Sequence, residues 1–107
     1  MAVIGTDGPD GDLDEVFSEV PLFHYPEGSA ERWAIDRFLE ERSVEPRVAG
    51  ETADVSTLVE LASTGRCVTF VPDSVAEERV DHGSLRSLVE VPRLRKRVHA
   101  LHADDAS

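Results

Sequence analysis

Residues 54 to 72 read Asp-Val-Ser-Thr-Leu-Val-Glu-Leu-Ala-Ser-Thr-Gly-Arg-Cys-Val-Thr-Phe-Val-Pro, and this stretch decides the fold. Val55, Leu58, Val59 and Ala62 fall at i, i+3, i+4 and i+7, which lays one apolar stripe along a helix. Asp54 can accept the first-turn N–H groups that find no partner inside the helix, and Gly65 can take the left-handed conformation past the last turn. Residues 67–71 are short, mostly apolar and β-branched, the pattern of a strand covered on both faces, and Pro72 ends the run. A helix that feeds such a strand through one tight turn is half of a β-α-β unit.

Copies of that unit flank it. Residues 22–25 predict a strand, ended by Pro26, Glu27 and Gly28. Ser29 then caps a helix running to about Ser43, with Ala34, Ile35, Phe38 and Leu39 on its buried stripe and Trp33 at the margin. Arg32, Asp36, Arg37, Glu40 and Glu41 fall on its wet face, where Arg37 and Glu41 have i,i+4 spacing. Residues 47–51 form a second short strand. Beyond Pro72, Ser74 and Glu77 have the spacing of a capping box for a helix of about two turns that stops at Gly83. Residues 85–91 alternate as a strand, and residues 94–102 give a last extended run.

The N-terminal 19 residues read differently. Residues 2–5 have the character of a strand end but are too short to define one. Leu13, Val16 and Phe17 space as a short helix, and six acids lie between Asp7 and Glu19. A solvated acidic segment is expected over 1–19, and the spacing of a calcium loop is not met. From residue 22 the order is β-α-β-α-β-α-β-β. It predicts an α/β fold with a mostly parallel sheet and flanking helices.

The chain has 107 residues, 22 acids against 11 basic residues, and a formal charge of −11. Such a surface repels nucleic acid and anionic membranes, so direct DNA binding and membrane association are not expected. Cys67 is the single cysteine, which rules out an intrachain disulfide. No apolar run is long enough to span a bilayer and no signal pattern opens the chain, so a cytoplasmic location is expected.

In an open α/β sheet, ligands bind beyond the carboxyl ends of the strands, beside helix N-termini. Three stretches land there: 25–29, 51–57 and 69–74. They carry the candidate ligand residues Tyr25, Pro26, Gly28, Ser29, Asp54, Ser56, Thr57, Thr69 and Pro72, with further hydroxyls at Thr52 and Ser74. Converging amides and hydroxyls without a fixed nucleophile suit reversible binding of a small anion or polar metabolite. Helix capping alone also explains several of these residues. Catalysis finds little footing. Cys67 opens a buried strand rather than a helix, and His24 lies within a strand. His99 and His102 point to opposite faces of an extended run, and no phosphate loop, nucleophile elbow or Cys-x-x-Cys occurs. No enzyme activity, metal or cofactor is expected. The basic residues Arg93, Arg95, Lys96 and Arg97 balance acids or meet a partner surface.

The ordered series Pro21 to Ser29, the following helix to Arg42, residues 44–47, residues 58–72, and Ser74 to Glu78 followed by Gly83-Ser84-Leu85 resembles the second lobe of the effector-binding domain of LysR-type transcriptional regulators. The likeness covers roughly residues 20–102, leaving 103–107 as a tail. Among subgroups it is nearest the sodium-responsive activators of sodium/proton antiporters. It implies one lobe of a type II periplasmic-binding-protein-like fold, with a small-molecule or ion effector in a cleft between two lobes. Carried over, this lobe's side of the cleft is 25–29, 54–57 and 69–72. Cys67 departs from the family, whose turn commonly has a second glycine there. The family's helix-turn-helix and most of its first lobe are not in this sequence, which is therefore expected to be a truncated regulator that binds its effector weakly. The alternative expectation is a protein–protein module that pairs with itself or with another regulator through an exposed edge.

Overall fold

The computed structural model describes residues 1–91. The extended run expected over 94–102, with His99 and His102, lies outside them, as do the basic cluster Arg93, Arg95, Lys96 and Arg97 and the 103–107 tail. In chain order the elements are β1 (Ala2–Gly5), α1 (Leu13–Phe17), β2 (Leu22–His24), α2 (Ala30–Glu41), β3 (Val48–Glu51), α3 (Val55–Ser63), β4 (Thr69–Phe70), α4 (Asp73–Asp81) and β5 (Leu85–Val89).

The sheet is mixed, not mostly parallel. β1 lies between β4 and β5 and runs antiparallel to both. The parallel pairing is between β2 and β3, and a single parallel bridge from Leu22 to Val68 joins this pair to the other three strands. The resulting strand order is β3-β2-β4-β1-β5. The cause is residues 2–5, too short to define from sequence. Buried at every position, they show no alternation, and they enter the sheet against the direction of the other strands. The solvated segment expected over 1–19 gives way accordingly, because Met1, Ala2, Val3 and Ile4 belong to the core.

Local chemistry explains where the helices begin and end. Asp12 and Glu15 form a reciprocal capping box at α1. Ser29 Oγ accepts the Arg32 N–H at 3.2 Å at the start of α2, and Asp54 accepts the Thr57 N–H at 3.2 Å at the start of α3. Helix α2 stops two residues before Ser43, which takes a left-handed φ of 56° while Val44 N–H reaches back to the Leu39 carbonyl. The capping box expected from Ser74 and Glu77 does not form. Pro72 occupies the N-cap of α4, no side chain caps it, and Asp73 is already helical.

The core is built from β1, β4, α3 and the inner faces of the remaining elements. Residues 67–71 are buried throughout, as the continuous apolar run requires. Helix α3 turns Leu58, Val59 and Ala62 inward and packs over β1 and β4. Contact between this helix and β1 is backbone on backbone. A β-carbon added at Gly5 would lie 2.7 Å from the Ser63 carbonyl oxygen and 2.8 Å from that of Ala62. Gly65, at φ 74°, ends α3 and faces Gly8, where an added β-carbon would meet the Gly65 carbonyl at 2.9 Å. Cys67 has no positive φ, so Gly65 alone supplies the left-handed residue of this turn.

Gly5→Ala is expected to destabilise the protein by about 1–3 kcal/mol, because backbone atoms cannot step aside. For a domain of this size that is a loss of roughly 4–20 °C in Tm. Gly28→Ala, at φ 86° with open space around it, is expected to cost only the left-handed conformation, about 1 kcal/mol. Thermal denaturation of the two variants beside the wild type checks the ranking, and equal losses would refute it.

Candidate functional site

The carboxyl ends of β2, β3 and β4 lie side by side, and the chain leaves each for a helix start. Tyr25 continues β2. Its hydroxyl donates to the Phe70 carbonyl at 2.8 Å, tying the loop after β2 to the end of β4. Thr52 N–H donates to the His24 carbonyl at 2.9 Å, which ties the end of β3 to β2. Arg32, one turn into α2, completes the link. Its Nη1 donates to the Tyr25 carbonyl at 3.0 Å and to Glu51 Oε2 at 2.9 Å, while Nε lies 3.5 Å from Asp36 Oδ2 and Nη2 lies 4.0 Å from Glu27.

Beneath this loop His24 is buried, with both ring nitrogens engaged. Nδ1 accepts the Tyr25 N–H at 2.8 Å and so carries no proton. Nε2 therefore bears the hydrogen, which it gives to Asp36 Oδ1 at 2.8 Å. Burial holds the imidazole pKa below its ordinary value. The hydrogen bond and charge of Asp36 oppose that shift, and the nearby Arg32 adds to it. Burial likewise pushes the Tyr25 hydroxyl up to about 12.

The residues expected from sequence divide into three groups. Tyr25, Pro26, Gly28 and Ser29 form the continuous loop between β2 and α2. Tyr25 is turned inward, and Gly28 is exposed. Ser29 is spent on capping, and its hydroxyl also donates to the Pro26 carbonyl at 2.8 Å. Asp54, Ser56 and Thr57 form a second group at the start of α3. Hydrogen bonds from the Thr57 hydroxyl and amide hold the Asp54 carboxyl below its usual range, so this helix start already carries a negative charge. Thr69 and Pro72 bracket the end of β4. Thr69 is fully buried, and among the described residues its hydroxyl meets no partner.

A surface hollow of about 270 Å³ lies against the first turns of α2, lined by Glu27, Gly28, Ser29, Arg32, Trp33 and Asp36. It shares only Gly28 and Ser29 with the expected set. Arg32 and Asp36 lie outside the expected set, since their spacing places them on the wet face of α2, whereas Glu51 opens the expected stretch 51–57 without being one of its candidate ligand residues. One signal was present: Arg32 and Asp36 are an i,i+4 pair, which the structure closes. Chemically the arrangement can bind and orient. His24 has no free nitrogen to act as a base, and burial raises the pKa of the Cys67 thiol, which keeps it an inert core group.

Tyr25 is the chain's single tyrosine, so tyrosinate absorbance reports it alone. The folded protein is expected to show little tyrosinate at about pH 10, the ordinary midpoint. A raised folded pKa stabilises below the unfolded value, so stability is expected to fall as the pH rises from about 10 towards 12. Tyr25→Phe is expected to remove that dependence and cost about 1 kcal/mol through the unpaired Phe70 carbonyl. An ordinary midpoint in the folded chain would contradict the burial of this hydroxyl.

Three comparisons with known proteins bear on this geometry. No curated protein sequence matches the chain significantly. Among solved structures, the regulatory domain of a HypT mutant from Salmonella typhimurium superposes with a TM-score of 0.71 at 20% sequence identity. The match covers 83% of this chain and 44% of that one, so the chain spans under half of that domain's length. At such identity the likeness shows the fold alone, a mixed α/β unit. The LysR substrate binding domain matches residues 12–107 of the sequence. The chain belongs to the LysR substrate-binding domain family.

Proposed function

We propose that this chain is a non-enzymatic effector-binding lobe of a LysR-type transcriptional regulator. In this reading it is one lobe of a type II periplasmic-binding-protein-like fold, sensing a small molecule or ion at the ends of β2, β3 and β4. The observation that carries it is the convergence of those three ends, stitched by Tyr25 on Phe70, Thr52 on His24 and Arg32 on Glu51. Through these bonds the three loops share a seam, so in this reading a ligand that touches one of them acts on the others. The ligand residues in this reading are Tyr25, Pro26, Gly28, Ser29, Asp54, Ser56, Thr57, Thr69 and Pro72. Thr69 adds to it, because a buried hydroxyl without a partner among the described residues lowers stability, and a bound effector is a source of that partner. Sodium is among the effectors to test, given the likeness to the antiporter activators. The acidic surface fits a lobe that leaves DNA contact to other parts of a regulator.

A second reading, pairing with another copy or another regulator, draws on Val48 and Trp33, which are 46% and 57% exposed. Val48 lies on β3, an edge strand among the described residues. The register shift between β2 and β3 blunts that edge, which ranks pairing second.

Thr69→Val is expected to raise the stability of the unliganded protein by about 1 kcal/mol. The same change is expected to reduce the thermal stabilisation given by an effector found among small metabolites or sodium salts. Full stabilisation of the variant by that ligand would remove Thr69 from the site. Size-exclusion with light scattering separates the two readings: the sensor reading expects a wild-type monomer stabilised by ligand. A ligand-indifferent dimer that Val48→Lys dissociates would replace it with the pairing reading.

A further inference from the structure

His24 holds the residue at which the candidate loop begins. Three hydrogen bonds fix Tyr25: its N–H to His24 Nδ1, its carbonyl from Arg32 Nη1, and its hydroxyl to the Phe70 carbonyl. The first differs in kind from the other two, because its acceptor can itself take a proton. Nε2 already bears a hydrogen directed at Asp36. A further proton can go only to Nδ1, where it would point at the Tyr25 N–H. We propose that His24 is a proton-operated latch for residues 25–29, closed while the imidazole is neutral and released when Nδ1 is protonated.

The surroundings set the direction. Asp36 and Arg32 face the ring from α2, and Glu51 faces it from β3. The two carboxylates favour the imidazolium, and Arg32 opposes it. Burial, the largest influence, also opposes it, so the closed state is neutral. Because the folded state resists this proton more than the unfolded chain does, its stabilising effect is complete above the ordinary histidine pKa of 6.5 and is lost as the pH falls below it. Water cannot take over the freed Tyr25 amide in place, since both His24 and Tyr25 are buried. Acid therefore displaces the loop rather than merely charging the ring. A change in this loop alters the seam to Phe70 and Glu51, so pH would regulate the proposed effector site. That last consequence rests on the effector-binding reading; the latch itself does not.

The test uses the full ¹⁵N-labelled chain with no effector present, so its outcome is independent of whether the lobe binds one. Imidazole ¹⁵N shifts and the hydrogen-exchange protection of the Tyr25 amide are followed from about pH 7.5 to about pH 5. The expected result is the Nε2–H tautomer at the upper end. Tyr25 protection should be flat down to about pH 6.5 and then fall by up to about tenfold for each pH unit, because below that pH opening takes up one proton. The Leu58 amide, bonded to the Asp54 carbonyl at 3.1 Å in α3, serves as the control for opening of the whole fold and should stay better protected than Tyr25 at every pH. His24→Asn places an amide oxygen near the position of Nδ1 and cannot take up a proton there, so Tyr25 protection in it should be flat with pH. Constant protection in the wild type overturns the latch, as does an equal fall in the Asn variant, or Tyr25 protection no lower than that of Leu58. Should that variant not fold, the wild type decides: Nδ1 unprotonated throughout while Tyr25 loses protection is equally fatal.

Discussion

The sheet depends on how closely β1 can approach the turn that ends α3. Gly5 lies under the last carbonyls of the helix, and Gly8 and Gly65 touch through backbone atoms alone. This approach lets a four-residue strand sit centrally, buried on both faces, with α3 packed over it and β4. Any side chain in the gap would lift the helix and open the apolar contacts of Leu58, Val59 and Ala62. Close packing of helix on sheet is thus set by the absence of side chains at three positions. The site inherits its geometry from the same arrangement, because β4 and the start of α3 are both placed by it.

At the other end of the strands the binding forces are polar. Arg32 joins a loop carbonyl, a strand-end carboxylate and its own helix, with a side chain only 17% exposed. Charge-assisted bonds are stronger there than on an open surface, and the planar fork serves several acceptors at once. A lysine would offer a point charge without that geometry. Helix α3 differs in character, since Asp54 answers its first-turn amides with a carboxylate of its own chain.

Much of this was legible in the sequence. The caps Ser29 and Asp54, the apolar stripe of α3, the stop at Gly65 and the covered run 67–71 all follow from local chemistry that tertiary structure had no reason to override. Strand β1 was not legible, because four buried residues carry no period and its partners lie far along the chain. The antiparallel character of the sheet was lost with it. The capping box at Ser74 failed because Pro72, with its fixed φ, serves as the N-cap two residues earlier. Three strand ends could be named from the order of elements, but not the Arg32 hub, since a helix wheel shows which face a residue lies on and not what loop bends over it. The hydroxyl of Thr69 could be counted from sequence, whereas its lack of a partner among the described residues is a fact of packing.

The central place of β1 also bears on how the chain folds. Residues 2–5 pair with 69–70 and with 85–89, so the strand that closes the sheet is made first and satisfied last. Units such as β2-α2-β3 can form from neighbouring residues, whereas the β1 ladders must close a loop of most of the described chain. During synthesis the apolar residues 2–4 wait, unpaired, until the distant strands emerge. A sheet whose middle is completed at the end folds at the pace of its longest loop, and until then its most apolar strand is open to the wrong partner.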